Sequence, residues 1–357
     1  MSLNSNLKKK KIYQYDTTFS PSSLSEIKKI FSSGQISVGN YQEKLKNHLK
    51  KITGCKYVFL TNSGTTGLHL ALLAVGASKN NNVILPSYLC EEVLNAVKYT
   101  QATPKFVDIN STNYSIDLQK AQKSINKNTS AIIVPYQYGD LVDMKILKDS
   151  EIPIIEDICH CTGGKNFQKP LGSIGSIGMT SFNDRKFLDG GYGGAVFTNN
   201  IEYARKIKSL LSLSANKKYN INYNYSTPNL ASYIIHEKSK KLNHNIKQRR
   251  KIADYYFKSF QKSELTIRYE SVKNSFFYRF MIDVPNNKHN FIKKMASLGI
   301  VCGIGIDFPL HKMYGSKENL PNTDFAVKNS VALPIRPNLT NSELRKITTA
   351  VKKCINS

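Results

Sequence analysis

Between residues 56 and 200, short apolar runs alternate with amphipathic stretches. The runs are YVFLTN (57–62), NVILPS (82–87), PKFVDI (104–109), AIIVPYQYG (131–139), IPIIED (152–157), IGMTSFN (177–183) and GAVFTN (194–199). Most are rich in β-branched residues and close on Ser, Asn, Asp or Gly, as buried strands do. GTTGLHLALLAV, EEVLNAVKYT and LQKAQKSI lie between the first several and read as helices. Strand, helix and strand in repetition require crossover connections. The expectation is therefore an α/β protein with a mostly parallel seven-stranded sheet and helices on both faces. A glycine turn alone joins the last two strands.

After residue 200 the texture changes. NIEYARKIKSLLSL and the long segment 229–262 read as helices, FFYRFMIDV (276–284) as a strand, HNFIKKMASLG as a helix and SELRKITTAVKKC as a terminal helix. A chain of 357 residues favours two domains over one. The pattern divides them into a large α/β domain with an N-terminal arm (1–245) and a smaller α+β domain (246–357). No internal repeat is visible.

Charge changes this picture little. Fifty-one basic residues against 25 acidic ones give a formal charge of +26, which raises nucleic acid or an anionic surface as a partner. The basic residues, however, are dispersed among asparagines, as in KNNNVI and SINKNTS, without zinc-finger spacing or an RNA-binding signature. A solvated surface is the simpler reading, and nucleic acid is not the expected partner. An anionic small substrate would also be drawn to such a field. Six scattered cysteines form neither a disulfide framework nor a four-ligand zinc pattern. The start, MSLNSNLKKKKIYQY, lacks the apolar stretch of a signal peptide, and no run approaches the ~18 apolar residues of a membrane span. A soluble cytoplasmic protein is expected.

Three stretches could carry chemistry. In TNSGTTGLHLALLA (61–74), Ser63, Gly64 and Thr65 end a strand and open an apolar helix. A helix start offers free N–H groups to a phosphate; the alternative is a plain N-cap. In IPIIEDICHC (152–161), Asp157 falls at the carboxyl end of a parallel strand, where open α/β sheets bind ligands. It either holds a protonated cofactor nitrogen or caps the next turn. In SFNDRKFLDGGYGGAVFTNN (181–200), Ser181 closes a strand and Lys186 precedes a glycine-rich return. Lys186 is either an ordinary surface lysine or one desolvated beside a cation, with Arg185 the candidate neighbour, and so able to attack a carbonyl. Together a phosphate cradle, a strand-end aspartate and a lysine meet the needs of pyridoxal phosphate.

At this point the chain resembles the DegT/DnrJ/EryC1/StrS sugar aminotransferases, fold type I pyridoxal-phosphate enzymes, over nearly its whole length. FSSGQISVGNYQEKLKNHLKKITGCKYVFLTNSGTTGLHLAL is similar to the family's opening, YGDLVDMKIL to its YGxxxDM segment, and IIEDICHCTGG to its EDxxQ/H element. GSIGSIGMTSFNDRKFLDGGYGGAVFTNN resembles the stretch with the Schiff-base lysine, and LPIRPNLTNSELRKI the closing LPxxPxLTxxE pattern. The resemblance implies an aspartate-aminotransferase-like fold, with Lys186 as the Schiff-base lysine and Asp157 as partner of the pyridine nitrogen. It puts His160 beside the cofactor ring, and Gly64, Thr65 and Ser181 at the phosphate. Asn224 would reach the phosphate of a neighbouring subunit in a homodimer with shared active sites. Where the family has a ring stacking on the cofactor, the alignment places Cys90, with Tyr88 two residues earlier as the substitute. Tyr192 replaces an acid in the family's G-[DE]-G-G, and Ser226 an expected arginine. The implied reaction moves an amino group from an amino acid, glutamate, to a nucleotide-linked keto sugar for surface polysaccharide or lipopolysaccharide. Dehydration on the same cofactor, and non-catalytic binding of nucleotide sugars or nucleic acid, are the alternatives. Family dehydratases tend to replace the lysine by histidine, and Lys186 is present.

Overall fold

The computed structural model describes residues 11–14, 21–166, 168–212, 221–261, 263, 265–269, 275–284 and 287–355. Its strands are β1 (Tyr57–Thr61), β2 (Asn82–Pro86), β3 (Thr103–Val107), β4 (Thr129–Pro135), β5 (Ile154–Asp157), β6 (Lys165–Asn166), β7 (Lys169–Pro170), β8 (Ile177–Ser181), β9 (Gly194–Thr198), β10 (Phe280–Asp283), β11 (Gly303–Ile304) and β12 (Ser330–Leu333). Its helices are α1 (Pro21–Ser32), α2 (Asn40–Thr53), α3 (Gly64–Ala74), α4 (Glu91–Tyr99), α5 (Leu118–Lys123), α6 (Ile201–Leu211), α7 (Asn229–Ser239), α8 (Leu242–Phe260), α9 (Lys288–Ser297), α10 (Leu310–Tyr314), α11 (Pro321–Asn329) and α12 (Asn341–Ile355).

Every strand expected from the first half of the chain forms, and together they make one seven-stranded sheet in the order β1-β9-β8-β5-β4-β2-β3. Pairing is parallel from β8 to β3, and β9 alone runs against its neighbours. Both faces are covered. Ile132 and Val134 of β4 face one buried cluster, while Ala131 and Ile133 face the other with α3 and α4. Such two-sided burial is why these strands read as continuous apolar runs. The carboxyl ends of β1, β8, β5, β4 and β2 therefore share one edge, and the chemistry-bearing loops leave from it.

The second half departs from expectation in three places. The stretch 229–260 is two helices, interrupted after Ser239, whose hydroxyl bonds back to the His236 carbonyl at 2.6 Å. The strand expected at 276–284 begins only at Phe280, because Phe277 adopts a left-handed backbone (φ 48°) that a strand cannot contain. A small antiparallel sheet, β10-β12-β11, uses the short run Ser330–Leu333 as its central strand. Ile12 bridges to Ile300, and Gln14 donates to the Ala332 carbonyl, so residues 11–14 lie against this small sheet. Residue 245 falls inside α8.

Candidate active site

The site begins with the start of α3. Ser63 caps the helix, accepting from the Thr66 N–H at 3.1 Å, while Thr66 Oγ1 accepts from the Ser63 N–H at 3.2 Å. The cap leaves the N–H groups of Gly64 and Thr65 open at the positive end of the helix. Two glycines let this corner close. A Cβ on Gly64 would lie 2.7 Å from Ser181 Cβ, and one on Gly194 would lie 2.3 Å from the Ser63 carbonyl oxygen. The Ser181 hydroxyl is thereby brought beside the helix start, with the Asn183 N–H at 3.4 Å as its protein donor.

β5 ends in two carboxylates with opposite duties. Glu156 is fully buried and accepts from the N–H groups of Gly172, Ile174 and Gly175 and from the Tyr136 hydroxyl, at 2.6–3.0 Å. Burial still raises its pKa against those four donors. It is a structural anchor for the 172–175 loop. Asp157, pointing to the other side of the strand, is half-buried, and its Oδ1 accepts from the Cys159 N–H at 3.0 Å.

Lys186 sits in the loop joining β8 to β9. Phe182 N–H to Gly193 O and Gly190 N–H to Phe182 O, both 2.8 Å, pin that loop at its base. The lysine Nζ lies 3.0 Å from His160 Nε2 and 5.2 Å from the centre of the Tyr278 ring. Burial opposes the ammonium, but Tyr278, Cys159, Cys90 and Asp157 together raise the pKa above the usual lysine value. This corrects the expectation of a lysine depressed by Arg185, which is well exposed and directed at Asp184. His160 itself is pushed well below the ordinary histidine range by burial, then by Lys186 and Arg279.

A model of the DegT/DnrJ/EryC1/StrS aminotransferase family matches residues 19–352. The chain belongs to that family. Among its relatives, the GDP-perosamine synthase of Escherichia coli O157:H7 is 28% identical, covering 89% of this chain and 91% of that one. The UDP-2-acetamido-2-deoxy-3-oxo-D-glucuronate aminotransferase of Pseudomonas aeruginosa is 26% identical, covering 91% and 94%. The aminotransferase TlmJ from Streptoalloteichus hindustanus has the same fold, with a TM-score of 0.90 over 97% of this chain and 99% of that one at 20% identity. NtdA from Bacillus subtilis, solved with bound cofactor PMP, superposes at 0.87 over 99% and 87% at 24% identity. The fold is that of the fold type I sugar aminotransferases.

Within this aminotransferase the structure sorts the remaining candidates. Cys90 precedes α4 as its N-cap, with part of the residue exposed and its thiol enclosed by protein. That enclosure raises its thiol to about 12, Lys186 pulling the other way. Tyr88 cannot stand in for a ring over the cofactor. It is fully buried, stacks on Tyr114 at 5.7 Å, and its hydroxyl meets Ser330 at 2.6 Å. Two residues along an extended segment return to the same side only when the segment stays straight, and the chain turns here: the Leu89 N–H bonds to the Ser87 carbonyl. Asn224, Ser226 and Tyr192 are exposed. Sequence reasoning missed Tyr278, stacked on His160 with centroids 4.0 Å apart and planes 8° apart, and its neighbour Arg279. Nothing in the run SFFYRFMIDV separates an active-site ring from a core ring.

Proposed function

We propose that this family member transfers an amino group from an amino acid, glutamate, to a keto sugar carried on a nucleotide, for surface polysaccharide or lipopolysaccharide sugars. We further propose a homodimer in which Asn224 reaches the partner subunit's phosphate site. The exposed position of Asn224 and the GDP- and UDP-sugar names of the relatives support this reading. The observation that carries it is Lys186 Nζ 3.0 Å from His160 Nε2, in the loop that leaves β8 beside the Asp157 end of β5 and the Gly64–Ser181 corner.

The residues fit pyridoxal phosphate. A Cβ on Gly64 would fill the corner beside Ser181, where two backbone N–H groups and a hydroxyl suit a phosphate. The Asp157 carboxylate, at the carboxyl end of β5, has an oxygen besides the Oδ1 that accepts from the Cys159 N–H and suits a protonated ring nitrogen. When bound, the cofactor supplies an aldehyde and a ring that accepts an electron pair. Gly64, Thr65 and Ser181 would hold its phosphate, and Asp157 would keep the proton on its ring nitrogen. Lys186 takes a proton from the α-carbon of the amino donor and gives one back when the amine passes to the sugar.

Borohydride reduction of the wild-type protein should leave the cofactor's mass on the peptide holding Lys186. Lys186→Ala should lose that adduct, and amine transfer to a panel of nucleotide-linked keto sugars should fall at least roughly a hundredfold. Unchanged transfer in the variant overturns the assignment.

A further inference from the structure

Four non-glycine residues among those described have a left-handed backbone, and two of them, Tyr138 (φ 56°) and Phe277 (φ 48°), lie in facing segments. Phe276 N–H bonds to the Gly139 carbonyl and Tyr278 N–H to the Tyr138 carbonyl, both at 2.9 Å. Each such backbone costs on the order of 1 kcal/mol or more, so the surroundings must impose it. What both distortions accomplish is the placement of His160. The Tyr138 N–H points at His160 Nδ1 at 3.1 Å, and the Tyr278 ring covers the imidazole at 4.0 Å. The Arg279 guanidinium sits 5.7 Å from the centre of Tyr278 and 5.8 Å from that of Tyr138.

A neutral imidazole has one N–H and one acceptor nitrogen. The Tyr138 amide can only donate, so Nδ1 accepts and the ring proton resides on Nε2. That N–H then faces Lys186 Nζ at 3.0 Å. Only a free amine has a lone pair to accept it; an ammonium would set hydrogen against hydrogen.

We propose that the Tyr138 amide and the Tyr278 ring clamp His160 as its Nε2–H tautomer, and that this N–H opposes the ammonium form of Lys186 and so frees the amine to take a proton. Tyr138, His160 and Tyr278 are positioning residues, and the second clause rests on the reading of Lys186 as the proton-transferring group. The groups facing the pair divide: those around His160 keep it neutral, while those around Lys186 favour its ammonium, so the Nε2–H and burial are what work against that charge. Burial and two cations, Lys186 and Arg279, disfavour a charged His160. Around the lysine stand Tyr278, Cys159, Cys90 and Asp157. Burial pushes both thiols up, Cys90 to about 12, so neither is an anion at neutral pH. Asp157 is the carboxylate among them, and in the loaded enzyme it would face the cofactor's ring nitrogen.

The test is nitrogen NMR of the full chain, labelled on its seven histidines and loaded with pyridoxamine phosphate, which has no aldehyde to engage Lys186. The His160 signals are assigned by their loss in His160→Gln. A protonated Nε2 with a bare Nδ1 across neutral pH is expected; the opposite tautomer or a cation overturns the proposal. Tyr278→Phe keeps the ring and should show the wild-type tautomer, whereas Tyr278→Leu should show mixed tautomers. In Tyr278→Leu, kcat should fall roughly tenfold at unchanged donor KM, with the acid limb of its pH profile about one unit higher. A wild-type profile in that variant, or mixed tautomers in Tyr278→Phe, sinks the clamp. His160→Gln should rescue the profile relative to His160→Ala, since its amide oxygen can accept from Tyr138 while its N–H faces Lys186. If NMR shows the tautomer but no variant or wild type transfers amine, the aminotransferase reading fails and the clamp stands.

Discussion

One wall of the candidate site is backbone: the first N–H groups of α3, brought against β8 and β9 by Gly64 and Gly194. The other is rings: Tyr138, His160 and Tyr278 in parallel planes, with the Arg279 guanidinium against the two tyrosines. The backbone wall gains its shape from what is missing at two positions, so it tolerates few side chains there and needs none to bind an anion. The ring wall is assembled from side chains on separate segments and is held by two strained residues. The first suits an invariant task, gripping a phosphate. The second suits adjustment of a proton's position.

The largest expected effect breaks the backbone wall. Gly194→Ala would drive a methyl group to 2.3 Å from the Ser63 carbonyl oxygen, which cannot swing away. Thermal unfolding should show a loss of about 2 kcal/mol or more, together with weak cofactor retention. Gly64→Ala meets a side-chain carbon, Ser181 Cβ at 2.7 Å, and should cost about 1–2 kcal/mol while lowering cofactor affinity in a titration. Gly191→Ala is a control of another kind. Nothing lies within 4 Å, but φ is +81°, so a loss of about 1 kcal/mol from strain alone should appear, with cofactor affinity retained.

Acidity sharpens the contrast from the other side. Burial lowers the pKa of His160 in the ring wall, and of His48, His69, His236 and His311 elsewhere. A histidine whose folded pKa lies below its unfolded value, near 6.5, leaves the unfolded chain binding more protons as pH falls through that value. Stability is therefore present at neutral pH and lost on acidification. The melting temperature should decline from pH ~7 to pH ~5, and His160→Gln should make that decline shallower. The smallest effect belongs to Tyr192, which is 73% exposed on the glycine turn. Tyr192→Ala should stay within about 0.5 kcal/mol of wild type in stability, so any change in its kinetics with keto-sugar substrates reports on recognition and not on folding.

The two walls were unequally legible in the amino-acid sequence. Strand ends at Asp157 and Ser181, the Ser-Gly-Thr helix start and Lys186 between glycines are local patterns, and parallel-sheet topology carries them to one edge without further information. Tyr278 was hidden because its segment is apolar and aromatic throughout, and only the left-handed Phe277 turns that ring toward His160. Tyr88 misled for the mirror reason, an aromatic at nearly the right position whose hydroxyl is claimed by Ser330. The small sheet was under-read because β11 and β12 are two and four residues long, too short for a periodicity to declare itself.

Asp108, just past the end of β3, is 1% exposed and accepts from the first turn of α11 with both oxygens: the N–H groups of Asn322 and Thr323 and the Thr323 hydroxyl, at 2.8–3.1 Å. The Ile109 N–H at 3.0 Å and the Lys120 ammonium at 3.3 Å complete its partners. One carboxylate thus moors α11 to the edge of the large sheet, and parting the two would cost it three of its five donors.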